Sequence, residues 1–249
     1  MKTGKSNVSC PAFTMMELMA TLACLGVLAG LLFTAVGRAR NRAAGLGCIN
    51  NLREGGKLLT LFVAENREYP LRRNEIEDGS PYPNHGSSWT QSIYGTNETS
   101  EVKLRLLNCP AAKYKRGQER LHLGYNSQGI LGKGGYPPVG LGVAFTGSVP
   151  RPVREAEVVN PLVVSLGDGY SGSADRVVDG SASIGRVILD PSVRDAVQPV
   201  WRRHGGMVNL AFVDGHVEAV GWRRAFVSTN DSDLIIWSRD GMPLANRFP

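Results

Sequence analysis

The chain is poor in the residues that build compact catalytic or metal motifs. Its 249 residues hold four cysteines and four histidines. No Cys-x-x-Cys occurs, and no two histidines lie four apart, so no short-range zinc signature is present. GxSxG, HExxH and paired-carboxylate motifs are also missing, which removes the common local signals of hydrolases. The glycine-rich stretch KGGYPPVGLG lacks the GxxxxGK[ST] order, and Pro137 and Pro138 remove backbone donors that a phosphate would need. Aromatic residues make up only 7% and are not interleaved with basic ones, so the net charge of +6 does not describe a nucleic-acid surface. Part of the basic surplus is local, at Arg38, Arg40, Arg42 and Arg53. That placement suits lipid headgroups or acidic groups on neighbouring subunits.

What the chain does have is one long apolar run. Phe13 to Val36 reads FTMMELMATLACLGVLAGLLFTAV, 24 residues whose only charge is Glu17. At about 1.5 Å per residue, a helix of that length crosses a hydrocarbon core of about 30 Å. The preceding residues 1–12 carry Lys2 and Lys5 and no acid, which places them on the cytoplasmic side. An ordinary secretory signal has a shorter apolar core, and Glu17 fits it badly. A lipoprotein signal at Cys24 would leave Leu25 to Val36 as an exposed apolar tail. Helical composition continues beyond the span, with Leu58, Leu59, Phe62 and Val63 forming one stripe before Pro70. The expected organisation is therefore a leader at 1–12, a membrane-spanning half-helix at 13–36, an extramembrane half at 37–69, and a globular domain at 70–249. A carboxylate within a span is costly unless paired, which marks Glu17 as a functional candidate.

Phe13-Thr14-Met15-Met16-Glu17-Leu18 resembles the start of type IV prepilins and type II secretion pseudopilins. Cys48-Ile49-Asn50-Asn51-Leu52-Arg53, Asn108-Cys109-Pro110, Tyr125-Asn126, Asn160-Pro161, Leu166-Gly167-Asp168 and Trp237-Ser238-Arg239-Asp240 are similar to pieces of a large pseudopilin-like family. That family carries a signature of His, nine residues and Asp-Gly, matched here by His204, Asp214 and Gly215. The resemblance implies cleavage by a prepilin peptidase between Ala12 and Phe13 and methylation of the new N-terminus. Ala12 stands where the family usually has Gly. It also implies that Glu17, then fifth in the mature chain, pairs with the N-terminal amine of a neighbouring subunit. The fold implied is α+β: a long N-terminal helix packed on an antiparallel sheet, the pilin-like arrangement. The location implied is an inner membrane crossed once, with the N-terminus cytoplasmic and the domain periplasmic or extracellular. The partners implied are the peptidase and other pilin or pseudopilin subunits.

Cys24 lies in the span as a small hydrophobe. Cys48 and Cys109 remain as an even pair facing an oxidising compartment, either joined as a disulfide tying helix to domain or present as two buried thiols. Asp231, Asp233 and Asp240 offer oxygen ligands for Ca²⁺, by analogy with major pseudopilins that hold calcium in a C-terminal loop; the same residues suit a helix cap or turn. No other cofactor is expected.

The remaining elements follow from local pattern. Trp89, Ile93 and Tyr94 at i, i+4 and i+5 predict a short helix covering the sheet. Strands are expected at Leu121–Leu131, Leu162–Leu166 and Val187–Leu189, with a turn at Asp168–Gly172 and the Gly/Ser/Asp-rich stretch that follows, to Arg186, as a solvent loop. Met207–Trp222 reads as a hairpin turning at Asp214-Gly215. Ten residues of extended chain would separate His204 from Asp214 by about 30 Å, so they are not expected to be partners. His204 is read as a hydrogen-bonded structural histidine in preference to a catalytic base. The function expected is structural and non-enzymatic: a filament subunit of a pseudopilus or pilus. Two alternatives are a membrane-anchored module binding glycan or secreted cargo through loops with Tyr82, Trp89 and Tyr136, and a tethered hydrolase using His204 or the Asp168 region.

Overall fold

A computed structural model describes residues 14–72, 82, 85, 88–95, 105–111, 122–131, 139–146, 149–169, 183–187, 204–226, 228 and 230–242. The chain forms two compact units, Met1–Ala43 and Ala44–Pro249. Helix α1, Met15–Asn66, is one 52-residue helix.

In the first unit, α1 begins at a reciprocal cap. The Thr14 backbone N–H and hydroxyl both donate to Glu17 Oε2, at 2.8 and 2.9 Å, while the Glu17 N–H donates to Thr14 Oγ1 at 3.3 Å. This is a capping box, which satisfies orphan donors of the first turn. The apolar residues that follow are exposed on every face, among them Leu18, Leu22, Leu28, Leu32 and Phe33. No part of the most apolar window is buried within the chain, and the helix is long and apolar enough to cross a membrane. A helix apolar all round is stable only against lipid or other helices. The expected cleavage point at Ala12 and Phe13 lies outside the described residues.

In the second unit, α1 buries Cys48, Leu52, Gly55, Leu59, Phe62 and Val63. Steps of three and four keep these on one stripe. The helix stops at Arg67, whose φ of 59° is left-handed and whose N–H donates to the Val63 carbonyl at 2.7 Å. The short helix α2, Trp89–Tyr94, forms where the spacing predicts and buries Trp89, Thr90 and Ile93.

The strands are β1 (Leu123–Leu131), β2 (Ala144–Thr146), β3 (Val149–Arg151), β4 (Val164–Asp168), β5 (Ser183–Val187), β6 (Met207–Phe212) and β7 (Val217–Gly221). Five of them form a sheet in the order β5-β1-β4-β6-β7, and β2 pairs with β3 separately. The α+β expectation stands, with one amendment: the sheet is antiparallel except at β1–β5, which is parallel. β5 also lies earlier than expected, inside the stretch read as a solvent loop. Helices α3 (Trp222–Phe226) and α4 (Asp231–Leu234) follow β7.

The sheet separates two apolar clusters. One holds Cys48, Leu52 and Leu59 of α1 with Trp89, Tyr125 and Leu166; the other holds Val164, Val208, Leu210, Phe212, Phe226 and Trp237. A register shift between Val164 and Leu166 lets two residues of the same parity face opposite sides. Period-two alternation then carries Asp168 onto the face of Leu166, and places Asn209, between Val208 and Leu210, on that face too. The hairpin forms, but only Gly215 takes positive φ, 93°. Asp214 instead accepts the His216 N–H at 3.1 Å, a side-chain turn that tolerates ordinary backbone angles.

Candidate functional site

Four residues from four segments of the second unit converge on the α1 side of the sheet. Cys48 comes from the buried stripe of α1, Cys109 from the segment after the helical turn at 105–107, Asp168 from the end of β4, and His204 from the turn entering β6. One ligand atom from each lies within 4.8 Å of all the others. Cys48, Cys109 and Asp168 are fully buried, and the His204 side chain is 7% exposed.

Each position has a local cause. Asn51, one turn along α1 from Cys48, donates through Nδ2 to the carbonyls of Arg105 and Asn108, at 3.0 and 2.9 Å. The Cys109 N–H donates to His122 Nδ1 at 3.3 Å, and the His122 N–H to the Leu107 carbonyl at 2.8 Å. These bonds fix the segment that carries Cys109. Asp168 is held through Oδ2, which accepts the Asn209 N–H at 2.8 Å and Nδ2 at 3.2 Å. His204 is turned inward by Gly205 and Gly206, whose φ values of 65° and 95° favour residues without a Cβ. Close packing needs a small residue on α1 as well. A Cβ on Gly47 would lie 3.1 Å from the Pro110 ring.

The contacts within the group are short and mutual. Cys48 Sγ lies 3.3 Å from Asp168 Oδ1, Cys109 Sγ 3.4 Å from His204 Nε2, and His204 Nε2 3.4 Å from Asp168 Oδ2. Hydrogen bonding to Cys109, then burial and the Asp168 charge, push the Cys48 thiol well up. Burial works against a charged His204, but the bonds to Asp168 and Cys109 outweigh it and push the imidazole up to about 9. A catalytic relay needs the carboxylate and the sulfur on opposite ring nitrogens. Here both approach Nε2, so the donors point at a common centre.

Of the two alternatives for Cys48 and Cys109, the structure holds two buried free thiols. His204 is a hydrogen-bonded histidine, as expected, and its partners are Asp168 and Cys109 of this group. Its family-motif companion Asp214 does not belong to it; that carboxylate contacts His216 Nδ1 at 2.5 Å. Among the described residues, the grouping close enough to share an ion is this one, not Asp231, Asp233 and Asp240. Asp233 Oδ1 instead accepts Arg224 Nε at 2.7 Å, and Asp240 Oδ1 accepts the Ser238 hydroxyl at 2.7 Å. Trp89, offered as a glycan platform, is fully buried, and Tyr136 lies outside the described residues. Glu17 forms the cap of α1 in the first unit. No family model matches the chain, and no curated protein or solved structure was found similar to it.

Proposed function

We propose that the chain is a structural, prepilin-like subunit, anchored by the first part of α1 and assembled through that helix into a pseudopilus or pilus-like filament. The observation that carries this reading is α1 itself. Its N-terminal part is apolar and exposed on every face, and the same helix supplies the buried stripe of an α+β unit. An exposed apolar surface of that extent needs lipid or like helices around it.

The prepilin peptidase cuts between Ala12 and Phe13, so the mature chain opens one residue before the Thr14–Glu17 cap. Both Thr14 bonds land on Glu17 Oε2. The carboxylate is thereby oriented at the helix start, where the amine of an adjacent subunit would neutralise it in a low-dielectric surrounding. The N-terminus faces the cytoplasm, and the domain lies across the membrane. The chain itself is not an enzyme in this account; the peptidase supplies the chemistry.

Single cysteines placed along residues 18–36, in a chain with Cys24→Ser, test the assembly step. Oxidative cross-linking in membranes should join the chain to another copy, or to another subunit with such a helix, with helical periodicity. Glu17→Ala should sharply reduce the yield while leaving the chain in the membrane. Absence of cross-links at every position, or yields unchanged by Glu17→Ala, would contradict assembly through the helix.

A further inference from the structure

We propose that Cys48, Cys109, Asp168 and His204 form a closed structural site for a zinc-class divalent ion, which clamps α1 to the sheet. This goes beyond the filament reading and does not depend on it.

Two opposite edges of the four-residue group already have the length that a tetrahedral ion requires. Donors about 2.0–2.3 Å from a tetrahedral centre lie about 3.3–3.8 Å from one another. Cys48 Sγ to Asp168 Oδ1 at 3.3 Å and Cys109 Sγ to His204 Nε2 at 3.4 Å fall within that range, and one ligand atom from each of the four residues lies within 4.8 Å of the others. The donor chemistry then selects the ion. Two thiolates and an imidazole favour zinc, whereas Ca²⁺ and Mg²⁺ demand oxygen donors. Four protein donors also complete a zinc coordination shell, the arrangement of structural rather than catalytic centres. Support beyond the donors is present too: Asn209 donates twice to Asp168 Oδ2, which leaves Oδ1 directed at Cys48.

Loading balances simply. The cysteines bind as thiolates, His204 as the neutral imidazole and Asp168 as the carboxylate, and whatever protons these ligand atoms carried pass to solvent. Two thiolates and one carboxylate give three negative charges, which a divalent ion reduces to one. The product ties α1 to β4, to the segment after residue 107 and to the turn before β6. A disulfide between Cys48 and Cys109 would engage only two of the four segments and leave Asp168 and His204 as a buried pair.

The test uses the full chain, extracted in detergent without chelator or reductant, with metal content measured by plasma mass spectrometry. One zinc per chain is expected, and Asp168→Asn and Cys109→Ser should each weaken zinc retention at least about tenfold. Cobalt substituted for zinc should give the intense visible bands of a tetrahedral thiolate site. Alkylation of the wild-type chain keeps the test independent of whether a variant folds. Cys48 and Cys109 should react only after a chelator is added. Reaction only after a reductant would show a disulfide, and reaction on denaturation alone would show two plain thiols; either overturns the proposal. Full zinc content in both variants would place the ion elsewhere and overturn it as well.

Discussion

His85 illustrates how burial sets the behaviour of a single residue. Its Nδ1 accepts the Leu71 N–H at 3.1 Å, and its ring meets Phe62 edge-on at 5.4 Å. Burial pushes its pKa down to about 4. The unfolded chain therefore takes up this proton near pH 6.5, while the folded chain does so only near pH 4. The contribution of neutral His85 is intact above about pH 6.5 and is lost as pH falls through that window, by up to roughly 2–3 kcal/mol. Denaturation midpoints followed by tryptophan fluorescence should fall across this range in the wild type and fall less in His85→Asn. Asn51 offers a second case. Asn51→Ala should cost about 1–2 kcal/mol, because it strips partners from two carbonyls ahead of Cys109. Asn51→Asp should cost more, since it turns a carboxylate towards those oxygens. Equal melting temperatures for the two variants would contradict that account.

Helix α1 sets the energetics at the level of elements, and its two adjacent glycines should respond in opposite directions. A Cβ on Gly55 would sit 2.7 Å from Tyr94 Oη and 2.9 Å from Leu166 Cδ1, whereas one on Gly56 would meet nothing within 4 Å. Gly56→Ala should stabilise the protein by up to about 1 kcal/mol through helix propensity. Gly55→Ala gains the same propensity but overpacks the helix–sheet contact, at about 1–3 kcal/mol, so it should be net destabilising in thermal melts. The same helix shows what a sequence can disclose. Leu59, Phe62 and Val63 repeat at helical spacing, Trp89 and Ile93 do so in α2, and β6 alternates around a Gly215 turn; each is a local signal. β5 lies in a stretch rich in Gly, Ser and Asp, and its parallel pairing with β1 depends on the tertiary fold. The side-chain group at the α1–sheet contact was hidden for a related reason. Cys48 and Asp168 are 120 residues apart, and Cys109 and His204 are 95 apart, so spacing rules for metal motifs could not connect them. Cys48 and Cys109 had stood out as a pair, but nothing in the sequence joined them to Asp168 or His204.

The molecule as a whole combines two kinds of surface. Residues 1–43 contain an apolar helix with no cover from the chain, while residues 44–249 hold both apolar clusters and the four-residue group. A chain restricted to residues 44–249 should therefore stay monomeric without detergent and keep a cooperative melt. Aggregation of that fragment in size-exclusion chromatography would show that its core needs the first 43 residues. On the proposed reading as an anchored subunit, the full chain should remain with the membrane after high-salt and alkaline washes, because an apolar helix is not released by screening charge.

The central claim is that this is a processed, prepilin-like subunit, and the N-terminus tests it most directly. Intact mass and N-terminal sequencing of the protein extracted from its native membrane should give a chain that begins at Phe13 and carries one added methyl group. A chain that retains Met1 and residues 2–12 would contradict processing, and would leave a simple signal anchor in place of a filament subunit.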